Sequence, residues 1–288
     1  MALKIERAGR TGFCFGVRRA IDMLKEVASE QGSVETLGPL VHNHLVVDRL
    51  AKMGIKEVKD MDSFEGDTVA ISAHGVGPKL EDKITAEYAK VINTTCPFVH
   101  RAQTVAKRLE EAGFLVVIYG DAKHAEVKGI LAWAEDKGIA TVDAGDITSL
   151  SSLPRRIGVI SQTTRVPSNF NEFVKKVVDV AFGRNSELRI IDTICHDIIQ
   201  RQTDAFHLAK KVDLMFVLGS STSANTKHLT ELCSTVVKTY QVETADAIQC
   251  SWLKGKSHIG VAAGASTGEQ TIDEVVVKLK SMDEKLKG

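Results

Sequence analysis

The sequence lacks an excess of charge of either sign, and it lacks any long hydrophobic run. It has 37 Lys and Arg residues against 37 Asp and Glu residues, so its formal net charge is zero. A balanced chain is not expected to bind nucleic acid or an anionic membrane surface through bulk electrostatics. No stretch reaches the roughly 18 consecutive apolar residues of a membrane-spanning helix. We therefore expect neither a nucleic-acid partner nor a membrane partner.

Cysteine is also scarce, with five residues in a chain of 288. An odd and sparse set does not form the disulfide framework of small secreted domains, and it fits a reducing compartment. The first twelve residues contain no apolar core of a signal peptide. We therefore expect a cytoplasmic protein, in which the few cysteines call for an explanation.

Short apolar segments of strand length recur along the chain and are separated by helical patterns. They are continuous rather than alternating, as at 115–118 and 214–218, which is typical of strands buried on both faces of a parallel sheet. Between them, apolar residues repeat at helical spacing, as at 17–28 and 99–109. The alternation predicts an α/β fold with mostly parallel sheets, and the length alone suggests about two domains.

An internal repeat places one cysteine in each of three segments. Cys14, Cys96 and Cys195 each open a helical pattern, and a polar cluster begins 28 residues after each of them. A second polar cluster follows a later strand in each segment, and the repeat changes the expected domain count from two to three. An arginine follows each cysteine after five or six residues, at Arg19, Arg101 and Arg201. The predicted units are 15–95, 96–191 and 192–288, with 1–14 joining the last.

Three cysteines at matching positions suggest ligands rather than core residues. Ligands of parallel α/β proteins gather at the carboxyl ends of strands, so we expect one central site. Converging thiolates bind a soft metal centre, and helix N-termini beside them favour the thiolate form. Zinc with an open position is one interpretation, although zinc sites usually pair cysteines at close spacing. An iron–sulfur cluster with three protein ligands and one iron open to a substrate oxygen is the other. Cys233 and Cys250 have no counterpart in the repeat and are expected to be structural.

The polar strand ends offer compact hydrogen-bond donors rather than Lys or Arg. Histidine, serine and asparagine side chains near helix N-termini suit a phosphate or diphosphate. Glu126 is the acid that we nominate as proton donor, because a carboxyl beside an apolar substrate has a raised pKa. Thr163 could relay that proton through its hydroxyl. The six candidate ligand-binding residues are His42, His74, His124, Ser223, Asn225 and Ser266.

Nine short segments resemble, in order, the motifs of the 4-hydroxy-3-methylbut-2-enyl diphosphate reductase family. These enzymes complete the methylerythritol phosphate route to isoprenoids. The segments cover nearly the whole chain, and the ordered set is far more specific than any one of them. They lie at 12–17, 38–43, 72–75, 95–97, 124–127, 162–164, 193–195, 223–225 and 263–266.

The resemblance implies a trefoil of three α/β units around an oxygen-sensitive 4Fe-4S cluster. The family reaction removes a substrate hydroxyl as water, with two electrons and two protons, and yields isopentenyl and dimethylallyl diphosphates. A ferredoxin or flavodoxin is the implied electron donor. The implied cluster ligands are Cys14, Cys96 and Cys195. The implied diphosphate-binding residues are His42, His74, Ser223, Asn225 and Ser266, and those around the hydroxyl are His124, Glu126 and Thr163, with Glu126 in proton delivery.

The chain departs from the family pattern shortly after Cys195. Asp197 and Ile198 stand where family members usually have Ala-Thr, so a hydroxyl is lost near the metal centre and a carboxylate is gained. Because a buried carboxylate beside an anionic cluster is costly unless paired or protonated, we expect Asp197 to point outward. Two alternatives to the reductase stay open. One is a zinc-dependent lyase or hydrolase acting on a phosphorylated substrate, and the other is a non-catalytic redox sensor of the same fold.

Overall fold

The computed structural model of the protein describes residues 3–135, 137–148, 154–182 and 185–287. Within these ranges the chain forms twelve short strands. They are β1 (Lys4–Arg7), β2 (Val34–Leu37), β3 (Ile55–Val58), β4 (Thr68–Ile71), β5 (Lys90–Asn93), β6 (Leu115–Tyr119), β7 (Ile139–Thr141), β8 (Arg156–Ser161), β9 (Glu187–Ile190), β10 (Leu214–Leu218), β11 (Thr239–Val242) and β12 (His258–Ala263).

Helices separate most of these strands, as the alternating pattern of the sequence predicts. Over the described residues, none of them is both long and apolar enough to cross a membrane. They are α1 (Phe15–Gln31), α2 (His44–Ala51), α3 (Pro78–Glu87), α4 (Pro97–Glu111), α5 (Ala125–Trp133), α6 (Gly145–Thr148), α7 (Pro167–Ala181), α8 (His196–Ala209), α9 (Ala224–Ser234) and α10 (Glu269–Lys287).

The strands form three four-stranded sheets in which every neighbouring pair is parallel. Read from one edge, sheet A has the order β1-β12-β10-β11, sheet B has β5-β4-β2-β3 and sheet C has β9-β8-β6-β7. The three orders are equivalent in the repeat, and inner strands such as β10 are buried along their whole length. Continuous apolar segments suit such strands because helices cover both faces of a parallel sheet. The predicted α/β fold with three parallel-sheet units is confirmed.

The strand registers bring the carboxyl ends of inner strands level with each other. In sheet A, β10 and β12 end together at the pair Leu218 and Ala263. In sheet C, β6 and β8 end together at the pair Tyr119 and Ser161. The polar clusters that follow these strands therefore emerge side by side from the same edge of their sheet, where ligands of parallel sheets bind.

The chain divides into two compact units. The first unit consists of 1–18, 41–52 and 196–288, and contains sheet A. The second unit consists of 19–40 and 53–195, and contains sheets B and C. The strands of sheets B and C lie within the predicted segments 15–95 and 96–191, whereas sheet A combines β1 with strands of the third segment. The exact boundaries of three domains stay a prediction.

An aromatic group lies at the core of the first unit. Phe216 of β10 is fully buried and stacks beside Tyr240, with ring centroids 6.1 Å apart. Tyr240 in turn stacks on Trp252 at 3.9 Å. These rings belong to a cluster with the apolar face of α10, for example Ile272 and Leu279. Sheet A is therefore held to its C-terminal helix by apolar burial.

We predict that Phe216→Ala destabilises the protein by about 3–5 kcal/mol, because it removes a fully buried ring and leaves a cavity. The midpoint of denaturant-induced unfolding should fall accordingly. Val277→Ala is the control, since Val277 is 66% exposed on α10 and exposed substitutions change stability by only about 0.5 kcal/mol or less. Equal effects of the two substitutions would contradict this account of the core.

Candidate active site

Each of the three candidate cysteines lies between the edge strand of a sheet and the helix that follows it. Cys14 comes after β1 and directly precedes α1, and Cys195 comes after β9 and directly precedes α8. Cys96 follows β5 and is the N-cap residue of α4. The partial positive charge of a helix N-terminus favours a thiolate. The repeat therefore places all three thiols in equivalent surroundings.

One type of backbone hydrogen bond fixes each cysteine beside the neighbouring inner strand. In every sheet, the cysteine amide donates to the carbonyl of the second residue after that strand. Each acceptor lies in the second polar cluster of its segment, so a thiol and a polar strand end are joined three times in the same way. The bonds run from Cys14 to Ala265 (3.0 Å), from Cys96 to Ala73 (3.0 Å) and from Cys195 to Thr163 (2.9 Å).

The candidate residues divide between the two units, and each unit holds its own group together. Five lie in the first unit: Cys14, His42, Ser223, Asn225 and Ser266. Six lie in the second unit: His74, Cys96, His124, Glu126, Thr163 and Cys195.

In the second unit, four candidate residues form a continuous line of contacts through side chains and backbone amides. The rings of His74 and His124 meet edge to face, with centroids 5.5 Å apart. His124 caps α5, and its Nδ1 accepts a hydrogen bond from the Glu126 amide at 3.2 Å. Glu126 Oε1 accepts a hydrogen bond from the Thr163 amide at 2.7 Å. Because the Thr163 carbonyl accepts from the Cys195 amide, the carboxyl is linked to a cysteine through one residue.

The environment of Glu126 suits an acid. Its side chain is buried, with 2% of the residue exposed. Burial raises the pKa of the Glu126 carboxyl, while hydrogen bonds from Thr163 and the charge of Arg165 act in the opposite direction. A raised pKa brings the carboxyl closer to the working range of a general acid at neutral pH. The carboxyl that the sequence nominates thus lies where burial favours its protonated form.

The hydrogen bond that His124 accepts determines which ring nitrogen of the neutral imidazole carries the proton. Its Nδ1 accepts from the Glu126 amide, so the neutral ring has its proton on Nε2. Nε2 is therefore a hydrogen-bond donor in both the neutral and the charged ring. This geometry suits a group that holds a hydroxyl or phosphate oxygen.

Two side chains, one on α4 and one on α5, donate hydrogen bonds to the loop that contains His74. The Val76 carbonyl accepts from Trp133 Nε1 at 2.9 Å and from Gln103 Nε2 at 3.3 Å. Gly75 has a φ of +68°, which glycine adopts without steric cost. Sequence reasoning missed Trp133 and Gln103, because only the fold brings them to the loop.

In the first unit, a side-chain hydrogen bond joins the loop that contains His42 to the loop that contains Ser266. Asn43, next to His42, donates from Nδ2 to the carbonyl of Ser266 at 3.0 Å. Ser223 caps α9, where its Oγ accepts from the Thr226 amide at 3.4 Å. Asn43 is a further candidate that sequence reasoning did not single out, although it stands in the polar cluster at 38–43.

Several polar atoms of the first unit are buried without a hydrogen-bond partner in the described part of the chain. They include both amide atoms of Asn225 and the hydroxyls of Ser266 and Thr226. An unpartnered buried polar group costs about 1–3 kcal/mol, and such groups in a native fold call for a missing partner. Two of the three residues are predicted diphosphate ligands. Their unused hydrogen-bonding capacity fits a polar ligand.

His42 is partly buried, and burial lowers the pKa of its imidazole below the ordinary value of 6.5. The ring is therefore neutral at pH 7. A neutral imidazole offers one donor nitrogen, and a bound anion would favour the charged form. Its affinity for an anionic ligand should consequently increase as the pH falls.

Two opposite influences act on the thiol of Cys14. Burial raises the pKa of the Cys14 thiol and is the largest effect, whereas the Val17 amide and the Arg201 charge lower it. Val17 donates to Sγ at 3.5 Å from the first turn of α1. The nearby carboxylate of Asp197 raises the pKa further. Burial therefore opposes the deprotonation of Cys14 that metal binding requires, whereas helix α1 and Arg201 assist it.

The expectation that Asp197 points outward is wrong. Asp197 Oδ2 accepts from Arg201 Nε at 2.9 Å, and Oδ1 accepts from Arg10 Nη1 at 3.3 Å. Its side chain is only 20% exposed. Two guanidinium groups satisfy the carboxylate, which is the condition under which a partly buried acid is tolerated. Ile198 is buried on α8, so it is a core residue in this chain.

The fold and these groups define a three-sheet α/β protein with thiols at helix N-termini, and with partly buried imidazoles and buried hydroxyl and carboxyl groups at strand ends. A family model described as LytB protein matches residues 5–280. The chain belongs to the LytB protein family, and the resemblance seen in the sequence is confirmed.

Curated relatives match over nearly their full length. A protein of Dehalococcoides mccartyi is 52% identical over 280 residues, covering 97% of this chain and 99% of its own. One of Geobacter sulfurreducens is 42% identical over 288 residues, covering 99% and 100%. Both are named 4-hydroxy-3-methylbut-2-enyl diphosphate reductase.

Two solved structures share the fold. One, described as (E)-4-hydroxy-3-methyl-but-2-enyl diphosphate reductase, the terminal enzyme of the non-mevalonate pathway, has a TM-score of 0.72 and 32% identity. It covers 97% of this chain and 99% of its own. The other, an E-1-hydroxy-2-methyl-but-2-enyl-4-diphosphate reductase from Plasmodium falciparum, has a TM-score of 0.88 and 25% identity, covering 96% and 88%.

We predict that Glu126→Gln changes how stability depends on pH. Burial raises the folded-state pKa of Glu126, so above the unfolded-state pKa the folded protein retains a proton that the unfolded chain has lost. The unfolding free energy of the wild type should therefore fall, relative to Glu126→Gln, as the pH rises above 4.5. The slope is at most about 1.4 kcal/mol per pH unit.

Chemical denaturation of both proteins between pH 4 and pH 8 measures this difference. Glu111→Gln is the matched control, because Glu111 is exposed on α4. Parallel pH profiles for the wild type and Glu126→Gln would show that the buried carboxyl does not bind a proton more tightly in the folded state.

Proposed function

We propose that this chain is a 4-hydroxy-3-methylbut-2-enyl diphosphate reductase. Membership of the LytB family and relatives of that name over nearly the full length support the proposal. The observation on which it rests most directly is the link from Glu126 through Thr163 to Cys195. A buried acid that is linked to a cysteine through a single residue suits a reaction that needs both electrons and protons at one place.

Cys14, Cys96 and Cys195 are the residues that would hold a 4Fe-4S cluster. Their chemistry fits, since each is a thiol at a helix N-terminus with its amide fixed to a strand end. When bound, such a cluster supplies electrons and an iron with an open position for an oxygen ligand. Three thiolate ligands, one from each repeat segment, would leave one iron of the cluster without a protein ligand.

We assign the diphosphate to asparagine, serine and histidine side chains rather than to lysine or arginine. Asn225 and Ser266 have buried polar atoms without a partner in the described chain, and Ser223 lies at the N-terminus of α9, where backbone amides favour an anion. His42 and His74 complete the set as imidazole donors.

Glu126, His124 and Thr163 are assigned to the substrate hydroxyl. The net reaction breaks the carbon–oxygen bond of the allylic alcohol, consumes two electrons and two protons, and releases water together with isopentenyl or dimethylallyl diphosphate. Glu126 is the proton donor because burial favours its protonated form. The Thr163 amide and the N-cap geometry of His124 hold the carboxyl in position. A small one-electron carrier of the ferredoxin or flavodoxin class would supply the electrons.

We predict that the protein purified without oxygen is brown and contains iron and acid-labile sulfide. Cys96→Ser should lose most of that iron, because a hydroxyl is a poor ligand for a soft metal centre. Cys250→Ser is the matched control, since Cys250 is exposed and has no counterpart in the repeat. Elemental analysis and visible absorption report the result. Zinc without iron or sulfide would favour the lyase or hydrolase alternative.

We further predict that Glu126→Gln retains iron and colour but lowers the turnover of the hydroxylated diphosphate by about 100-fold or more, as loss of a general acid does. Anaerobic turnover with a chemical reductant, measured by product release, tests this directly. Glu111→Gln should behave like the wild type. Normal turnover by Glu126→Gln would remove this carboxyl from the reaction, and a loaded wild type without turnover would favour a redox sensor.

A further inference from the structure

Three arginines occupy matching positions on the helices that the cysteines open. Arg19 lies on α1, Arg101 on α4 and Arg201 on α8, five or six residues after the cysteine of each segment. Arg201 lowers the pKa of the Cys14 thiol, but the proposed reaction otherwise assigns no role to these arginines. Their common placement, about one and a half turns into the helix, calls for a common role.

Each arginine donates to backbone carbonyls of the loop that precedes the next cysteine in the repeat. The series is cyclic, because the arginine on the helix after Cys195 contacts the loop before Cys14. Arg19 Nη1 lies 3.5 Å from the Thr94 carbonyl and 3.4 Å from the Thr95 carbonyl. Arg101 Nη2 donates to Asp192 at 3.2 Å, and Arg201 Nη1 donates to Gly12 at 2.8 Å.

The acceptors lie one to three residues before the cysteines. Thr94 and Thr95 precede Cys96, whereas Asp192 precedes Cys195 by three residues and Gly12 precedes Cys14 by two. A cysteine loop is thus held at two points: on one side by the cysteine amide bonded to the inner strand, and on the other by a guanidinium. Hydrogen bonds to a charged donor are stronger than those between neutral groups.

Arg201 is the most firmly held of the three. It is 4% exposed, and its fork binds two separate acceptors, the Gly12 carbonyl through Nη1 and Asp197 through Nε at 2.9 Å. Lysine cannot reproduce this arrangement, because its single ammonium lacks the planar fork. Arg101, by contrast, is exposed and binds one carbonyl, which a lysine can also reach.

We propose that Arg19, Arg101 and Arg201 are positioning residues that hold the three cysteine loops in the conformation required by the metal centre. The proposal rests on the proposed function, since it assumes that the three cysteines bind one cluster. It predicts effects on loop mobility in the metal-free protein and on the electronic state of the cluster in the loaded protein.

The first experiment measures hydrogen–deuterium exchange in the full-length apo-protein. In Arg101→Gln, amides of the peptide that spans 191–195 should exchange about tenfold faster, as expected for loss of one charge-assisted hydrogen bond. Arg101→Lys should restore protection. Both Arg201→Gln and Arg201→Lys should increase the amide exchange rate of the peptide that spans 11–14. Arg108→Gln is the matched control on α4, because Arg108 is exposed in the last turn.

The second experiment examines the anaerobically loaded proteins. Release of iron to a chelator should be about tenfold faster in Arg101→Gln and Arg201→Lys than in the wild type, and the electron paramagnetic resonance spectrum of the reduced cluster should change. Arg101→Lys and Arg108→Gln should keep the wild-type spectrum. Arg201→Gln leaves Asp197 without its buried partner, so Arg101→Gln decides the matter if Arg201→Gln fails to fold.

The outcomes separate the two proposals. Unchanged exchange, iron release and spectra in Arg101→Gln and Arg201→Lys, with a normal cluster in the wild type, would overturn the role of the arginines and leave the reductase intact. A wild type that takes up no cluster would overturn the proposed function and, with it, this inference. Faster exchange and altered spectra together would support the inference.

Discussion

The hydrogen bond from each cysteine amide to the loop after the neighbouring inner strand is the constraint on which the candidate site depends. It recurs in all three sheets with nearly the same length, between 2.9 and 3.0 Å. The bond is possible because the edge strand and the inner strand are parallel and end at the same edge of the sheet. One backbone contact thus joins a thiol to a polar cluster, whatever the side chains in that cluster are. The side chains are then free to differ between segments, as histidine, threonine and serine do here.

This backbone hydrogen bond explains how an acid and a cysteine are linked through successive hydrogen bonds. Thr163 accepts from Cys195 through its carbonyl and donates to Glu126 through its amide, so the position of the acid follows from the position of the thiol. In the first unit, the residue after the acceptor Ala265 is Ser266, whose hydroxyl is buried without a partner in the described chain. Such a hydroxyl costs stability on its own. A buried hydroxyl without a partner at a strand end fits the binding of a polar ligand better than a role in stabilising the fold.

The sequence predicts most of the fold because the repeat and the apolar periodicity are local signals. Apolar segments such as β10 and the constant 28-residue interval after each cysteine identify three equivalent sheets without any knowledge of tertiary contacts. The same signals nominate Glu126, which the structure buries as a raised-pKa acid should be. Long-range partners could not be predicted. Asn43 meets Ser266 across 223 positions, and no local pattern encodes that contact. The arginines were visible as a repeated position, but their acceptors were not.

Asp197 shows why a departure from a family pattern has to be judged by its contacts. As a lone carboxylate near Cys14 it would oppose the thiolate, and it does raise the pKa of that thiol. Yet it also holds Arg201, whose charge lowers the same pKa and whose fork reaches the Gly12 carbonyl two residues before Cys14. Arg10 binds the second carboxylate oxygen. Two arginines therefore balance the added charge. The Asp197 carboxylate holds the Arg201 guanidinium in place, and this guanidinium in turn binds the Cys14 loop. Ile198 is buried on α8. The departure thus adds a carboxylate that supports the Cys14 loop and leaves the three thiols and Glu126 in place, which argues for a modified support of the same chemistry rather than for a lost one.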